Sequence, residues 1–170
     1  DLYAHNELAE AFSRMLVTRV NRAWRAFGQN GGLMYLTSWK WDEPNTMRER
    51  QLQANGEVVT FLGGAPAFTD RTHAYRAGDA IAKQLVFIWD GQGENRMSAE
   101  WKFVEADSGK VLASGKADKT LKQGDIQFAP ISVKAPDVSR KTACRFEVAF
   151  SAREMDDAHP ANLSAKRDVF

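Results

Sequence analysis

The hydrophobic pattern of the first part of the chain predicts one amphipathic helix. Between about Ala4 and Phe27, apolar residues recur at steps of three and four, which places them on one helix face. The members of this apolar stripe are Leu8, Phe12, Met15, Leu16, Val20, Ala23, Trp24 and Phe27. The face opposite carries Arg14, Arg19, Asn21, Arg22 and Arg25. Gly28, followed by Gln-Asn-Gly-Gly, ends the helix. We expect the stripe, including Trp24, to be buried in a core.

Two short apolar runs follow the helix. The run from Leu33 to Trp39 lacks strict alternation, which is typical of a strand covered on both faces, as in a parallel sheet or a barrel. Pro44 cannot donate to a strand ladder and lies just beyond its end. The run from Val58 to Leu62 is also strand-like, and an irregular connection is expected from there to Gly78.

The remainder of the chain has the pattern of an antiparallel β protein. Six strand candidates are separated by Gly-, Asp- and Pro-containing turn signals, with no helical pattern between them. They are Ile81 to Trp89, Met97 to Glu105, Val111 to Lys116, Asp125 to Val133, Thr142 to Ser151 and Ser164 to Phe170. Their alternation predicts an inward-facing set, with a bulge at Pro130 in the fourth candidate, that consists of Trp101, Phe103, Phe128, Phe146 and Val148.

These patterns define a mainly β fold class and a division of the chain. The prediction is an immunoglobulin-like antiparallel β-sandwich preceded by an amphipathic α-helix and one or two strands. Residues 1–62 form the helix-strand segment, 63–78 the connection and 79–170 the sandwich. A helix-strand pair cannot cover its own apolar faces. It must therefore pack on the sandwich, on protein outside this chain, or on a second copy of the chain.

Composition narrows the classes of function. The formal net charge of +1 argues against a protein that holds nucleic acid or an anionic membrane by bulk charge. No apolar run approaches the roughly 18 residues of a membrane helix. The single cysteine, Cys144, excludes an internal disulfide and a thiolate-cluster zinc site. Because the three histidines share no ligand-type spacing and no phosphate-loop pattern occurs, we expect neither a metal nor a cofactor.

Four segments, taken in order, resemble the end of a large multidomain glycoside hydrolase. They read RVNRAWRAFGQNGGLMYLTSWKWDEP, VVTFLGG, YRAGDAIAKQLVFIWDG and AEWKFVEADSGKVLASGKADKTLKQGDIQFAPISVKAP. The chain is most similar to β-galactosidase-like and glycoside hydrolase family 2-like enzymes. The resemblance implies that the last helix and strand of a catalytic (β/α)₈ barrel precede the sandwich. It also implies a fragment of a larger bacterial protein, secreted or periplasmic, with the barrel as its partner.

The resemblance assigns sugar contact, but not catalysis, to this chain. In the family the last barrel strand ends in an aromatic residue that lines the sugar site, and Trp39 matches that position, with Trp41 second. The catalytic carboxylates follow earlier barrel strands, so no catalytic residue is carried over. The adjacent Asp42 and Glu43 would point to opposite faces of an extended segment. A retaining pair needs its carboxyl groups about 5–5.5 Å apart.

Three tryptophans are therefore candidates for sugar binding. Trp39 and Trp41 share one face of an extended segment and could stack on pyranose rings, although core positions are the alternative. Trp89 ends a strand, where an accessible edge position is expected. Three functions remain open: an accessory portion of a glycoside hydrolase, a free-standing carbohydrate-binding module that recognises an oligo- or polysaccharide, and an immunoglobulin-like interaction or adhesion domain.

Overall fold

The computed structural model describes residues 19–28, 55–65, 73–154, 162–164 and 168–169. Within these ranges, residues 19–26 form a helix, α1. Eight strands follow it: β1 (Val58–Gly64), β2 (Ala80–Trp89), β3 (Glu94–Glu105), β4 (Val111–Lys122), β5 (Asp125–Lys134), β6 (Cys144–Glu154), β7 (Asn162–Ser164) and β8 (Asp168–Val169).

The strands form two antiparallel sheets. The first sheet has the order β1-β2-β5, and the second has the order β4-β3-β6-β7, with β8 also paired to β6. β7 and β8 pair with successive parts of the same edge of β6, at residues 151–153 and 147–148. The expectation of a mainly β, immunoglobulin-like sandwich preceded by a helix is confirmed. β4 lies beside β3, in the second sheet, rather than beside β5.

The core of the sandwich lies between the two sheets. In β2, the inward-facing side chains Leu85, Phe87 and Trp89 are fully buried. Phe87 meets Phe150 of β6 edge-on, with ring centroids 5.8 Å apart, so the aromatic contact joins the two sheets. The buried members of this core are Leu62, Ile81, Leu85, Phe87, Trp89, Met97, Ala99, Phe103, Leu121, Ile131, Val133, Ala135, Phe146, Val148, Phe150 and Ala152.

Most of the predicted inward-facing residues do point into this core. Phe103, Phe146 and Val148 are buried. Trp101 is half-buried and packs against the core, with its ring centroid 6.3 Å from that of Phe146. A Cβ at Gly115, the register partner of Trp101 on β4, would lie 2.7 Å from the indole. A glycine at that position therefore makes room for the Trp101 ring.

Phe128 is the exception, and its predicted inward orientation is wrong. It is 40% exposed, on the face of the first sheet that points away from the core. The expectation relied on a bulge at Pro130, which would have brought residues on both sides of it to one face. β5 instead pairs with β2 without a register shift, so Ile131 and Val133 face the core and Ile126 and Phe128 face outward.

β1 belongs to the first sheet. The sequence grouped residues 58–62 with the preceding helix, but this strand pairs with β2 along its full length, from Val58 opposite Trp89 to Gly64 opposite Lys83. The barrel-like nature of residues 1–62 and the domain boundaries at 62 and 79 stay predictions.

Candidate functional site

α1 packs against an apolar part of the outer face of the first sheet. Val59 and Phe61 of β1 and Val86 and Ile88 of β2 are buried, although they point away from the sandwich core. Ala26 of α1 packs into this second cluster. β2 is consequently buried on both faces, which accounts for its unbroken apolar run near Trp89. The helix is thus part of the same packed body as the sheet.

Two arginines of α1 fix the helix on the sheet. Arg22 lies over the Phe61 ring, with its guanidinium carbon 5.6 Å from the ring centroid. The Arg25 side chain is 11% exposed. Its Nη1 donates to the Gly56 carbonyl oxygen at 2.7 Å, and its Nη2 donates to Asp90 Oδ2 at 2.5 Å. These contacts join the helix to the chain just before β1 and just after β2, and so fix the position of the helix along the sheet.

The face of α1 that contacts the sandwich is the arginine-rich face, not the predicted apolar stripe. Asn21 and Ala26 are buried, whereas Trp24 is 42% exposed and Phe27 is 53% exposed. The predicted core position of Trp24 is therefore wrong. Long arginine stems can cover apolar surface while the guanidinium reaches polar partners, so an arginine-rich face can pack on a sheet. The stripe residues from Leu8 to Leu16 lie outside the described residues.

Asn21 is a buried polar side chain of this helix. It is fully buried, and neither its Nδ2 nor its Oδ1 has a hydrogen-bond partner among the described residues. A buried amide without partners costs about 1–3 kcal/mol. Asn21 therefore costs folding free energy that an apolar side chain of similar size would not.

The structure places Trp89 inside the sandwich. It is 1% exposed, its Nε1 donates to the Gly93 carbonyl oxygen at 3.1 Å, and its ring covers Gly91. The expectation of an accessible edge position is wrong, because the loop after β2 folds back over the indole. The ring presents no open face to a sugar. Trp39 and Trp41 lie outside the described residues, so their assignment to sugar contact stays a prediction.

The thiol of Cys144 is in a setting that disfavours its reactive form. Burial raises the pKa of Cys144, and the charge of Glu105, its register partner on β3, raises that pKa further. The thiol is therefore protonated at neutral pH and is a poor nucleophile.

The described part of the chain holds no group of three or more metal-ligating side chains. In the same ranges, no helix has the length and apolar character needed to cross a membrane.

No protein-family model and no curated protein matches the chain. Solved structures do match it, with weak similarity. β-Glucuronidase 2 of Bacteroides uniformis is 12% identical at a TM-score of 0.37, over 65% of this chain and 12% of that chain. The alkylpurine DNA glycosylase AlkC of Pseudomonas fluorescens is 16% identical at a TM-score of 0.38, over 71% and 32%. The sporulation control protein Spo0M of Bacillus subtilis is 13% identical at a TM-score of 0.37, over 67% and 46%. The chain spans less than half of each, and the three have different functions.

Proposed function

We propose that the chain is the non-catalytic accessory portion of a glycoside hydrolase and that it braces the catalytic barrel through α1. The observation that carries this proposal is the two-faced helix. One face is fixed to the sandwich by Arg22, Arg25 and Ala26. The other presents Trp24 and Phe27 at the surface. A helix of this kind is suited to join the sandwich to a second body.

The sequence resemblance supplies the identity of that second body. It matches α1 to the last helix of a (β/α)₈ barrel, in which the apolar side of each helix packs on the barrel strands. Trp24 and Phe27 would then contact the barrel, while the arginine face contacts the sandwich. The barrel would hold the catalytic carboxylates, and Trp39 and Trp41 would line one wall of its sugar site.

A binding experiment tests the bracing role. The polypeptide encoded immediately ahead of Asp1 is expressed separately and mixed with the chain, and the affinity of the two is measured. Trp24→Ser/Phe27→Ser should weaken the complex by about thirtyfold or more, because the loss of a single buried aromatic anchor costs an interface about 2 kcal/mol. The control Val111→Ser/Val138→Ser removes two exposed apolar side chains from the sandwich itself and should leave binding unchanged.

The proposal fails if no barrel is encoded ahead of Asp1, or if the two double variants bind equally. An activity assay tests the non-catalytic part of it. The chain alone should not hydrolyse nitrophenyl glycosides above the uncatalysed rate. Turnover that disappears in Asp42→Asn or Glu43→Gln would make the chain an enzyme in its own right. Retardation by neutral polysaccharide in a native gel, lost in Trp39→Ala/Trp41→Ala, would favour a free-standing binding module.

A further inference from the structure

Two arginines lie directly opposite each other on the outer face of the second sheet. Arg96 of β3 and Arg153 of β6 are register partners, and both are exposed, while the residues on each side of Arg96 are buried in the core. Directly opposite residues of an antiparallel pair have Cβ atoms about 4.5–5.5 Å apart, and like charges in that arrangement are destabilising. The fold therefore keeps a repulsive pair where a neutral residue would be more stable.

Glu94 and Asp118 are the described acidic residues closest to Arg96 in the β3–β4 register. Glu94 lies two residues before Arg96 on β3, opposite Lys122. Asp118 is placed diagonally across the β3–β4 ladder, and its Oδ1 lies 3.9 Å from Lys116 Nζ. Within the part of the chain that the structure describes, no ion pair joins either guanidinium of the pair to a carboxylate. Among these described residues, the two arginines and Lys122 outnumber the two carboxylates.

Hydroxyl groups extend the arginine pair into a larger polar surface. Two residues further along β3, Ser98 is opposite Ser151 of β6, and the two Oγ atoms are 2.5 Å apart. Thr120 of β4, also exposed, lies opposite Arg96 on the other side. The β3–β6 register runs without a shift from Asn95 to Glu105, so these side chains stand on a regular, open sheet face.

This combination has the chemistry of an acid-sugar site. Each guanidinium offers a planar fork of N–H donors that matches a carboxylate, and an anion held between the two removes their repulsion. The neighbouring hydroxyls both donate and accept hydrogen bonds, as the hydroxyls of a sugar require. An open sheet face suits an extended polymer. The overall charge balance of the chain gives a bare polyanion, such as nucleic acid, little further attraction.

We propose that Arg96 and Arg153, with the Ser98 and Ser151 hydroxyls, bind a carboxylate group of an acidic polysaccharide. The choice of a polysaccharide rests on the carbohydrate-active role proposed above. The anion site itself rests on the arginine pair.

Affinity electrophoresis of the full chain tests this site. Native gels contain polygalacturonate, dextran sulfate or neutral dextran, and each mobility is compared with that in a gel without polysaccharide. Polygalacturonate should retard the chain, and Arg96→Gln/Arg153→Gln should weaken that binding at least about tenfold, because two charge-assisted hydrogen-bonding groups are lost. The control Lys110→Gln/Lys134→Gln removes the same charge from exposed positions off this sheet face and should bind like the unmodified chain.

Thermal unfolding of the same variants gives an independent readout. Because a repulsive pair is removed, the midpoint of Arg96→Gln/Arg153→Gln should rise by about 1–3 °C while its binding falls. A lowered midpoint would show a structural role for the arginines and overturn the site. Three other results would also overturn the proposed site. They are an equal loss of binding in the two double variants, no retardation by polygalacturonate, and retardation by dextran sulfate alone. The two proposals can fail separately. If polygalacturonate retards the chain through the arginines but no barrel is encoded ahead of Asp1, the bracing role is refuted and the anion site is not.

Discussion

A substitution at Gly91 tests the burial of Trp89 most directly. Gly91 follows β2 in the loop that folds back over the Trp89 indole. A Cβ at this position would lie 2.1, 2.4 and 2.7 Å from three atoms of the six-membered ring. The nearest of them would have to retreat by about 1.3 Å to reach an ordinary contact of 3.4 Å. The ring cannot yield freely, because it is packed in the core and is held at Nε1 by the Gly93 carbonyl.

Gly91→Ala should therefore destabilise the chain by about 2–3 kcal/mol, the range of an overpacked core. The matched control is Gly109→Ala. Gly109 has a φ of 69°, and nothing lies within 4 Å of a Cβ there. That variant measures the cost of a left-handed backbone alone, about 1 kcal/mol. Gly91 has no such backbone conformation, so its cost is steric and depends on the Trp89 ring.

Urea unfolding, followed by circular dichroism, gives the free energies of unfolding from the midpoint and the slope. Trp89→Phe made in the Gly91→Ala chain should cost less than the sum of the two single changes, because the smaller ring leaves space for the new methyl group. If Gly91→Ala costs no more than Gly109→Ala, the indole does not lie against Gly91. Trp89 would then be open to solvent and would return as a candidate sugar platform.

Three further predictions concern the helix and the thiol. Arg25→Met should lower the free energy of unfolding by about 1–2 kcal/mol, because it removes both the ion pair with Asp90 and the hydrogen bond to the Gly56 carbonyl. Asp90→Asn should lower it by less than about 1 kcal/mol, because Asp90 is half exposed and the Gly56 bond remains. Urea midpoints measured at low and high salt separate the ion pair, which salt screens, from the hydrogen bond to Gly56. Asn21→Leu should stabilise the chain by about 1 kcal/mol in the same assay, because it removes an unpartnered buried amide. Alkylation of Cys144 should rise with pH through a midpoint above the ordinary thiol pKa, and Glu105→Gln should lower that midpoint. An unchanged profile in Glu105→Gln would exclude the carboxylate as a cause.

Local patterns predicted most of the strands, because each of these strands buries at least one face and is bounded by turns. The candidate from Ile81 to Trp89 corresponds to β2 at Ala80–Trp89, and the candidate from Asp125 to Val133 corresponds to β5 at Asp125–Lys134. The turn glycines Gly109 and Gly124 have φ values of 69° and 83°, which other residues rarely adopt. These signals are contained within a few neighbouring residues, so a single sequence reveals them.

The sequence predictions for Trp24 and Phe128 are wrong because a hydrophobic pattern does not show which surface an apolar face contacts. Periodicity shows that a helix has an apolar face, but not which surface that face meets. The apolar stripe predicts a core position for Trp24, but the sandwich contacts the arginine face of the helix instead. Phe128 was assigned inward because β5 was assumed to have one apolar face. The strand has two, since α1 covers part of the outer face of its sheet. No local signal in the sequence predicted the contact between Arg25 and Asp90, which are 65 residues apart.

Two outer strands of the sheets, β4 and β5, are protected against pairing with another chain. An open edge strand invites pairing with a second chain, and proteins oppose this with lysines and proline at the edge. β4, the outermost strand of the second sheet, carries Lys116, Asp118 and Lys122. β5, an outer strand of the first, contains Pro130, which cannot donate a ladder hydrogen bond. Strand addition is therefore disfavoured at the β4 and β5 edges. Trp24 of α1 is exposed and apolar, so a contact made through α1 should depend on side-chain packing rather than on strand pairing.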